Sequence, residues 1–446
     1  MNVPPLVEVQ LLPTRIREIK RDPLNFMLCH QQRYGDFIHY PLRVANVFQA
    51  THPAIIQHVL QTNNRNYSKD TVQYNTLSRI TGRGLLTSDG RAWLQQRRLV
   101  QPAFHRTRLE GMAGVMLEAT QAMLRRWEAH ARAGEAIDVD EEMMQLTLEI
   151  VGQTLFSIDL RTAAHELTQA VLTTLDYVVY RAGAFIAPPL NWPTRRNRGV
   201  RAALRLLERT IYTTIADRRA SGADTGDVLS MLLHARDPET GESMSDAQIR
   251  DQVMTLLIAG HETVASALTW SWRLLAVHPE TRARLEAELD AVLDGRLPTV
   301  ADLPALPYTR AVFEETLRLY PPAWLITRRA EGADQIGEAA IPARALFILS
   351  PYVTQRHPDF WPNPLHFDPA RFLDGAGPPA RFAYIPFGGG PRLCIGDQFA
   401  LLEARLILAG VAQRFRLHSL PGHPVQVDAL VTLRPRHGLL MTLETR

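Results

Sequence analysis

The stretch "FGGGPRLCIG", residues 387 to 396, holds three glycines, an arginine and one of only two cysteines in this 446-residue chain. The residues after the cysteine, "IGDQFALLEARLILAGVAQRF", have strong helical periodicity. Cys394 therefore stands just ahead of a helix N-terminus, where amide groups and the helix dipole favour a thiolate. A thiolate is the form that attacks electrophiles and the form that binds metals. Pro391 removes one competing amide donor and stiffens the turn, while the glycines permit a tight backbone path and the close approach of a flat ligand. Taken alone, these residues leave three options: a nucleophile, a metal ligand or an inert buried thiol. A nucleophile would also want a positioned histidine, and none is identifiable from the pattern.

Three other stretches carry chemistry at defined spacing. In "AGHET" (259 to 263), Thr263 lies four residues after Ala259, so its hydroxyl can reach back to that carbonyl and open the helix; Gly260 lets the backbone approach a ligand closely. In "EETLRLYPP" (314 to 322), Glu315 and Arg318 share a helix face. Such a pair on a surface would contribute well under ~1 kcal/mol. In "WLQQR" (93 to 97), Trp93 and Arg97 fall on one side of a helix, and a planar guanidinium suits a carboxylate through its two-pronged donor geometry.

The elements that must position these residues are mainly helical. The pattern predicts helices over 111 to 133, 198 to 220 and 246 to 278, the last unusually long, capped by Ser245 and stopped by Pro279. Strands are expected at "DFIHYPL", "VANVFQATH" and "ALFILSPY", and as a final pair at "ALVTLRP" and "GLLMTLE", with loops at 221 to 244 and 374 to 380. No repeat or linker divides the chain, so residues 1 to 446 read as a single mainly α domain with small β-sheets.

Composition excludes several classes. Cys29 and Cys394 are far apart, which sets aside a disulfide framework and a structural zinc site and fits a reducing compartment. No apolar run reaches the roughly 18 residues of a membrane span, and the N-terminus lacks a signal layout. A net charge of +3 comes from scattered arginines with two clusters. One is Arg97, Arg98, His105, Arg106 and Arg108. The other, at Arg195, Arg196, Arg198, Arg201, Arg205 and Arg209, reads first as a solvated helix face, with an acidic partner or a membrane surface as the other options. Neither cluster comes with the aromatics or reading motif of a nucleic-acid binder.

The pattern F-x-x-G-x-R-x-C-x-G is complete in Phe387, Gly390, Arg392, Cys394 and Gly396. It resembles the haem-binding loop of the haem-thiolate monooxygenases, the cytochromes P-450. The resemblance covers roughly residue 20 to the end and implies that family's fold, with the long helix crossing over the haem. By it, Cys394 is the axial thiolate of haem b, a ligand that favours O–O cleavage in this family, and Phe387 packs against the sulfur. "AGHET" resembles the family's oxygen-binding groove, lined by Ala259 and Gly260, with Glu262 and Thr263 as the acid–alcohol pair that delivers protons. Glu315 and Arg318 then form a buried structural triad with Arg371 of "FDPARF", holding the cysteine loop. Trp93, Arg97 and Arg392 become partners of the haem propionates, with Arg328 in "PPAWLITRR" chosen over Arg329 by its spacing from Arg318, and Lys69 of "YSKD" beside them.

The same resemblance implies substrate contacts from 74 to 87, from Phe185 to Trp192, from Met254 to Ala259, from Pro322 to Ile326 and near Val431. The residues named there, Leu85, Leu86, Leu256, Leu257, Ala259, Ala323, Trp324, Leu325 and Val431, are apolar. The expected activity inserts one oxygen atom of O2 into a fatty acid, terpenoid, steroid or carotenoid by hydroxylation or epoxidation. The 74 to 87 stretch looks like bacterial members acting on fatty acids and carotenoids. Electrons from NAD(P)H would arrive through a separate ferredoxin or flavodoxin and its reductase, with Arg97 and Arg98 facing the acidic partner, in the cytoplasm. The alternatives are a peroxide-using relative, an isomerase or dehydratase on the same scaffold, and a non-oxygenating haem protein. None of these requires Glu262 and Thr263 together. His261, Trp270 and Trp272 read as packing or surface residues.

Overall fold

The computed structural model describes residues 3–11, 15–43, 45–183, 187–236, 241–373, 377–378 and 380–446. Phe185 and most of the loop expected at 374 to 380 lie outside the described residues. The chain divides into two compact units, residues 1–75 with 314–394, and residues 76–313 with 395–446.

The first unit is built on a six-stranded sheet. Its strands are β1 (Val7–Glu8), β2 (Phe37–Leu42), β3 (Ala45–Ala50), β4 (Tyr67–Ser68), β6 (Ile326–Ala330) and β9 (Leu346–Leu349), in the spatial order β1-β2-β3-β9-β6-β4. A two-stranded pair, β7 (Asp334–Ile336) and β8 (Ala339–Ile341), lies beside it in sequence. Strand periodicity sorts the side chains. Phe37, Phe48 and Phe347 pack on one face, with the Phe48 and Phe347 rings stacked at 5.1 Å, while Ile38, Tyr40 and Val47 are buried on the other.

The second unit is helical. It contains α2 (Gly90–Val100), α3 (Arg106–Ala133), α4 (Val139–Phe156), α5 (Ala164–Gly183), α6 (Arg195–Ser221), α7 (Val228–His234), α8 (Asp246–Val277) and α10 (Asp397–Ala412). Two further helices, α1 (Val72–Thr81) and α9 (Pro307–Leu319), each begin in one unit and end in the other. The long helix α8 starts at a capping box: Ser245 Oγ accepts from the Gln248 amide at 3.3 Å, and Gln248 Oε1 accepts from the Ser245 amide at 2.9 Å. At a rise of 1.5 Å per residue it is about 48 Å long, and it is buried along most of that length against α4, α6 and α10.

Two expectations are corrected. The loop at 221 to 244 contains α7, started by the Asp227 carboxylate, which accepts from the Ser230 amide at 2.7 Å. The last two strand signals do not pair with one another. Strand β12 (Leu433–Pro435) pairs with β11 (Val427–Ala429), while β13 (Leu440–Thr445) joins β10 (Phe415–Ser419) and β5 (Ile137–Asp138). The turn at 436 to 438, including Gly438 at φ +70°, carries the chain from one sheet to the next.

Candidate active site

Cys394 is exposed, at the end of a closed turn. Its amide donates to the Phe387 carbonyl at 3.0 Å, and the Leu393 amide donates to Gly390 O at 3.0 Å. The turn requires its glycines. Gly390 has φ +67°, and a Cβ there would sit 1.9 Å from the carbonyl oxygen of Leu60; at Gly389 it would sit 2.5 Å from the Phe382 ring. The close approaches recorded at these two glycines are to Leu60 and Phe382. An inert buried thiol is excluded by the exposure.

Behind this turn lies a buried polar anchor. The side chains of Glu315 and Arg318 are fully buried and joined by two hydrogen bonds, Nε to Oε2 at 2.6 Å and Nη2 to Oε1 at 2.7 Å. Arg318 also donates to the carbonyls of Gln355, Pro364 and His366, and its guanidinium lies over the Trp361 ring at 5.2 Å. Arg371 approaches Glu315 Oε1 at 3.5 Å, and the Asp368 amide donates to the same oxygen. The surface-pair alternative fails on burial. Gln355, which pattern reading did not single out, completes the arrangement. Its Nε2 donates to the carbonyls of Leu317 and Arg318, and its Oε1 accepts from the Ile385 amide, two residues before Phe387.

Arg328 and Arg329 alternate on β6 and meet opposite fates. Arg329 is paired with Asp70 at 2.8 Å. Arg328 is 6% exposed and has only neutral acceptors, Thr327 O at 2.8 Å and Tyr74 Oη at 3.4 Å. Among the described residues no carboxylate pairs with it. The Lys69 ammonium, also buried, lies over the same Tyr74 ring at 4.9 Å. Tyr74 thus joins two of the expected propionate partners, a role its place in the sequence did not reveal. Arg392 is half-buried in the cysteine turn. Of the expected apolar contacts in this unit, Trp324 is buried, Leu325 half-buried and Ala323 exposed.

In the second unit, Thr263 Oγ1 donates to Ala259 O at 2.8 Å. The close approach recorded at Gly260 is to α4: a Cβ would sit 3.1 Å from Val151 Cγ2. His261 is fully buried, with Nδ1 2.9 Å from Leu257 O, and burial pulls its ring down to about 4, so it is neutral. Glu262 is 3% exposed; burial pushes its carboxyl up to about 7, while a 2.9 Å hydrogen bond from Thr432 Oγ1 and the charge of Arg434 oppose that push. Arg434 is ion-paired with Asp140, itself at hydrogen-bond distance from Thr269. Thr432, Arg434 and Asp140 had no motif to mark them.

The 82 to 87 loop lies against α8. The Arg83 amide donates to Asp251 at 2.8 Å and the Leu85 amide to Gln252 at 3.1 Å, and a Cβ on Gly84 would strike Thr255 Oγ1 at 2.2 Å. This brings buried Leu85 to the turn of α8 preceding Leu256 and Leu257, which are also buried; Leu86 and Val431 are half-buried. Trp93 and Arg97 are half-buried on α2, and Arg98 is exposed. Gly396 is the N-cap of α10. Trp270 and Trp272 are buried, so of the two readings packing holds. On α6, Arg195, Arg198, Arg205 and Arg209 are exposed, and Arg196 stacks over Tyr180 at 3.9 Å. Among the described residues no helix is long and apolar enough to cross a membrane, and no group of three or more His, Cys, Asp or Glu is placed to hold a metal ion.

The family model described as cytochrome P-450 matches residues 3–441. The cyclooctatin synthase of Streptomyces melanosporofaciens is 42% identical over 425 residues, covering 95% of this chain and 90% of that protein. The cyclooctat-9-en-7-ol 5-monooxygenase of the same organism is 37% identical over 404 residues, covering 90% and 86%. A solved cytochrome P-450 haem domain matches with a TM-score of 0.85 at 30% identity, over 95% of this chain and 93% of that one.

Proposed function

This chain belongs to the cytochrome P-450 family and is a haem-dependent monooxygenase, and from that premise we propose that Cys394 ligates the haem iron and that the substrate is a terpenoid hydrocarbon or its alcohol. The observation that carries the assignment is the placement of Cys394, an exposed thiol presented by a turn whose backbone is fixed by hydrogen bonds. The donor set fits haem. A prosthetic group that brings four ring nitrogens needs one protein ligand, not a cluster of three. Arg328, a buried guanidinium that no carboxylate pairs among the described residues, suits a propionate.

Haem bound through a thiolate supplies the one-electron chemistry that activates O2 with NAD(P)H-derived electrons. The chain supplies the rest. Trp93, Arg97, Arg328, Arg392 and Lys69 are assigned to the propionates, and Phe387 and Gly396 to the cysteine loop. Glu315, Arg318 and Arg371 anchor the segments around that loop. Thr263, turned back on Ala259 O, and Glu262, near the midpoint of its titration at neutral pH, are assigned to proton delivery beside Ala259 and Gly260.

The substrate class is supported by Leu85, Leu86, Leu256, Ala323, Trp324, Leu325 and Val431, none of which bears a charge, and by a relative whose name specifies an unsaturated alcohol. Fatty acids and carotenoids, favoured by the 74 to 87 stretch, are the less supported choice. Electron supply is assigned to an acidic ferredoxin or flavodoxin with its reductase, approached through exposed Arg98, and the setting to the cytoplasm.

Two measurements test this. The reduced carbon-monoxide complex should show the red-shifted Soret band of a thiolate haem, and a band typical of histidine ligation would refute the Cys394 assignment. Spectral titrations should give tighter binding for cyclic terpene alkenes and their mono-alcohols than for fatty acids; the reverse order would refute the substrate class.

A further inference from the structure

Glu262, Ser266 and Trp270 recur at four-residue spacing on α8, one face of the helix. All three reach the same short hairpin. Ser266 Oγ and Trp270 Nε1 both donate to Leu433 O, at 2.5 and 2.9 Å, and Glu262 Oε1 accepts from Thr432 Oγ1 at 2.9 Å. The Leu430 amide closes the hairpin turn on Thr432 O at 3.1 Å. Thr432 and Glu262 are each 3% exposed, so the bond between them is out of water. A threonine hydroxyl has a single proton to donate, and here the carboxylate receives it.

The charged groups acting on Glu262 come from three other elements: Arg434 on β12, Asp140 on α4 and Asp176 on α5. Arg434 is committed to Asp140, and the neighbouring His261 is neutral. Among the described residues the one hydrogen-bond donor to the carboxyl is Thr432.

We propose that Thr432 is the positioning residue of Glu262: its hydroxyl, held by a hairpin fastened to α8 through Leu433, fixes the orientation of the carboxyl and sets how readily it releases its proton. This rests on the reading of Glu262 as the acid of the acid–alcohol pair. A hydrogen bond donated to a carboxylate favours the ionised form, so Thr432 opposes the upward push of burial. Without it Glu262 remains protonated across the neutral range and ceases to exchange its proton there.

The test compares Thr432→Val, which keeps the shape and removes the hydroxyl, with Thr432→Ser, which keeps the hydroxyl. In the holoenzyme, the carboxylic C=O infrared band lost in Glu262→Gln is titrated against pH, and product formed per NAD(P)H consumed is followed over the same range. Thr432→Val should raise the titration midpoint by about one to two pH units and move the coupling profile the same way, while Thr432→Ser stays close to the wild-type midpoint. An unmoved midpoint in Thr432→Val overturns the proposal while leaving the role of Glu262 intact. If Glu262→Gln itself leaves product yield and its pH profile unchanged, the acid assignment fails, and the proposal with it.

Discussion

Replacing Arg318 by methionine should be more damaging than removing both members of its ion pair. In Arg318→Met the Glu315 carboxylate stays fully buried, keeping only the Asp368 amide at 2.9 Å and Arg371 at 3.5 Å, and the carbonyls of Gln355, Pro364 and His366 lose their donor. Breaking a buried pair from one side costs about 3–5 kcal/mol, a large share of a total stability of roughly 5–15 kcal/mol. Glu315→Leu is milder, because the guanidinium it strands still donates to three carbonyls. Glu315→Leu with Arg318→Met leaves no charge fully buried without a partner, only the partly exposed Arg371 guanidinium losing its carboxylate, so it should recover part of the loss seen in Arg318→Met alone. Urea unfolding followed by tryptophan fluorescence, with Trp361 beside the pair as a local reporter, should give a midpoint for Arg318→Met lower by on the order of 1 M. The double variant should fall short of the sum of the singles by at least about 1 kcal/mol. Strict additivity, or a double variant worse than both singles together, would show that the pair acts as two independent side chains and would refute the reasoning.

Three further outcomes are expected. Glu262 is raised from 4.5 to about 7 in the fold, so the folded state holds its proton more tightly and the associated stability is lost as pH rises across that window; Glu262→Gln should therefore gain up to about 3 kcal/mol over wild type between pH 5 and pH 8, and a pH-independent difference in urea midpoints would contradict this. Thr263→Ala removes a hydroxyl and a methyl without touching any assigned haem contact, so haem content and the substrate-induced spectral shift should persist while reducing equivalents go to hydrogen peroxide, measured as product and peroxide per NAD(P)H; an unchanged product yield would make Thr263 only a helix residue. Arg328→Gln should lower haem retention at least tenfold more than Arg329→Gln, which gives up only a partly exposed pair with Asp70 worth about 1 kcal/mol or less; equal haem loss in competition with apomyoglobin would remove the propionate assignment from Arg328.

Local rules made the fold legible wherever they were sufficient. Ser245 and Gln248 mark the start of α8 because a capping box is written in four consecutive residues. The strand alternation that separates Phe37 from Ile38 is likewise local. The pairing of the last strands was not legible, because "ALVTLRP" and "GLLMTLE" have the same period and nothing local says that Asp138, some 300 residues earlier, edges the sheet of β13. That partnership appears only in space, where Asp138 Oδ1 accepts from the Leu439 amide at 2.9 Å. Helix α7 escaped notice for a different reason: seven residues between polar, glycine-bearing flanks give too few turns for periodicity to register.

The same distinction governs the site. Cys394, Thr263 and the Glu315–Arg318 pair could be singled out because each obeys a short spacing rule within one turn or one helix. Thr432, Arg434, Asp140, Gln355 and Tyr74 obey none. Each is a polar residue whose partner lies at least 30 positions away in the chain, except where Tyr74 meets Lys69. They hold and tune groups that the motifs name. A motif specifies which side chain is present, whereas its proton affinity depends on burial and on the donors that reach it. For Glu262 both come from outside α8: burial, and one hydroxyl from a hairpin 170 residues further on. Replacing Thr432 therefore alters the behaviour of "AGHET" while leaving its letters intact, and a chain with the same pentapeptide but no donor at that hairpin would carry an acid titrating at higher pH.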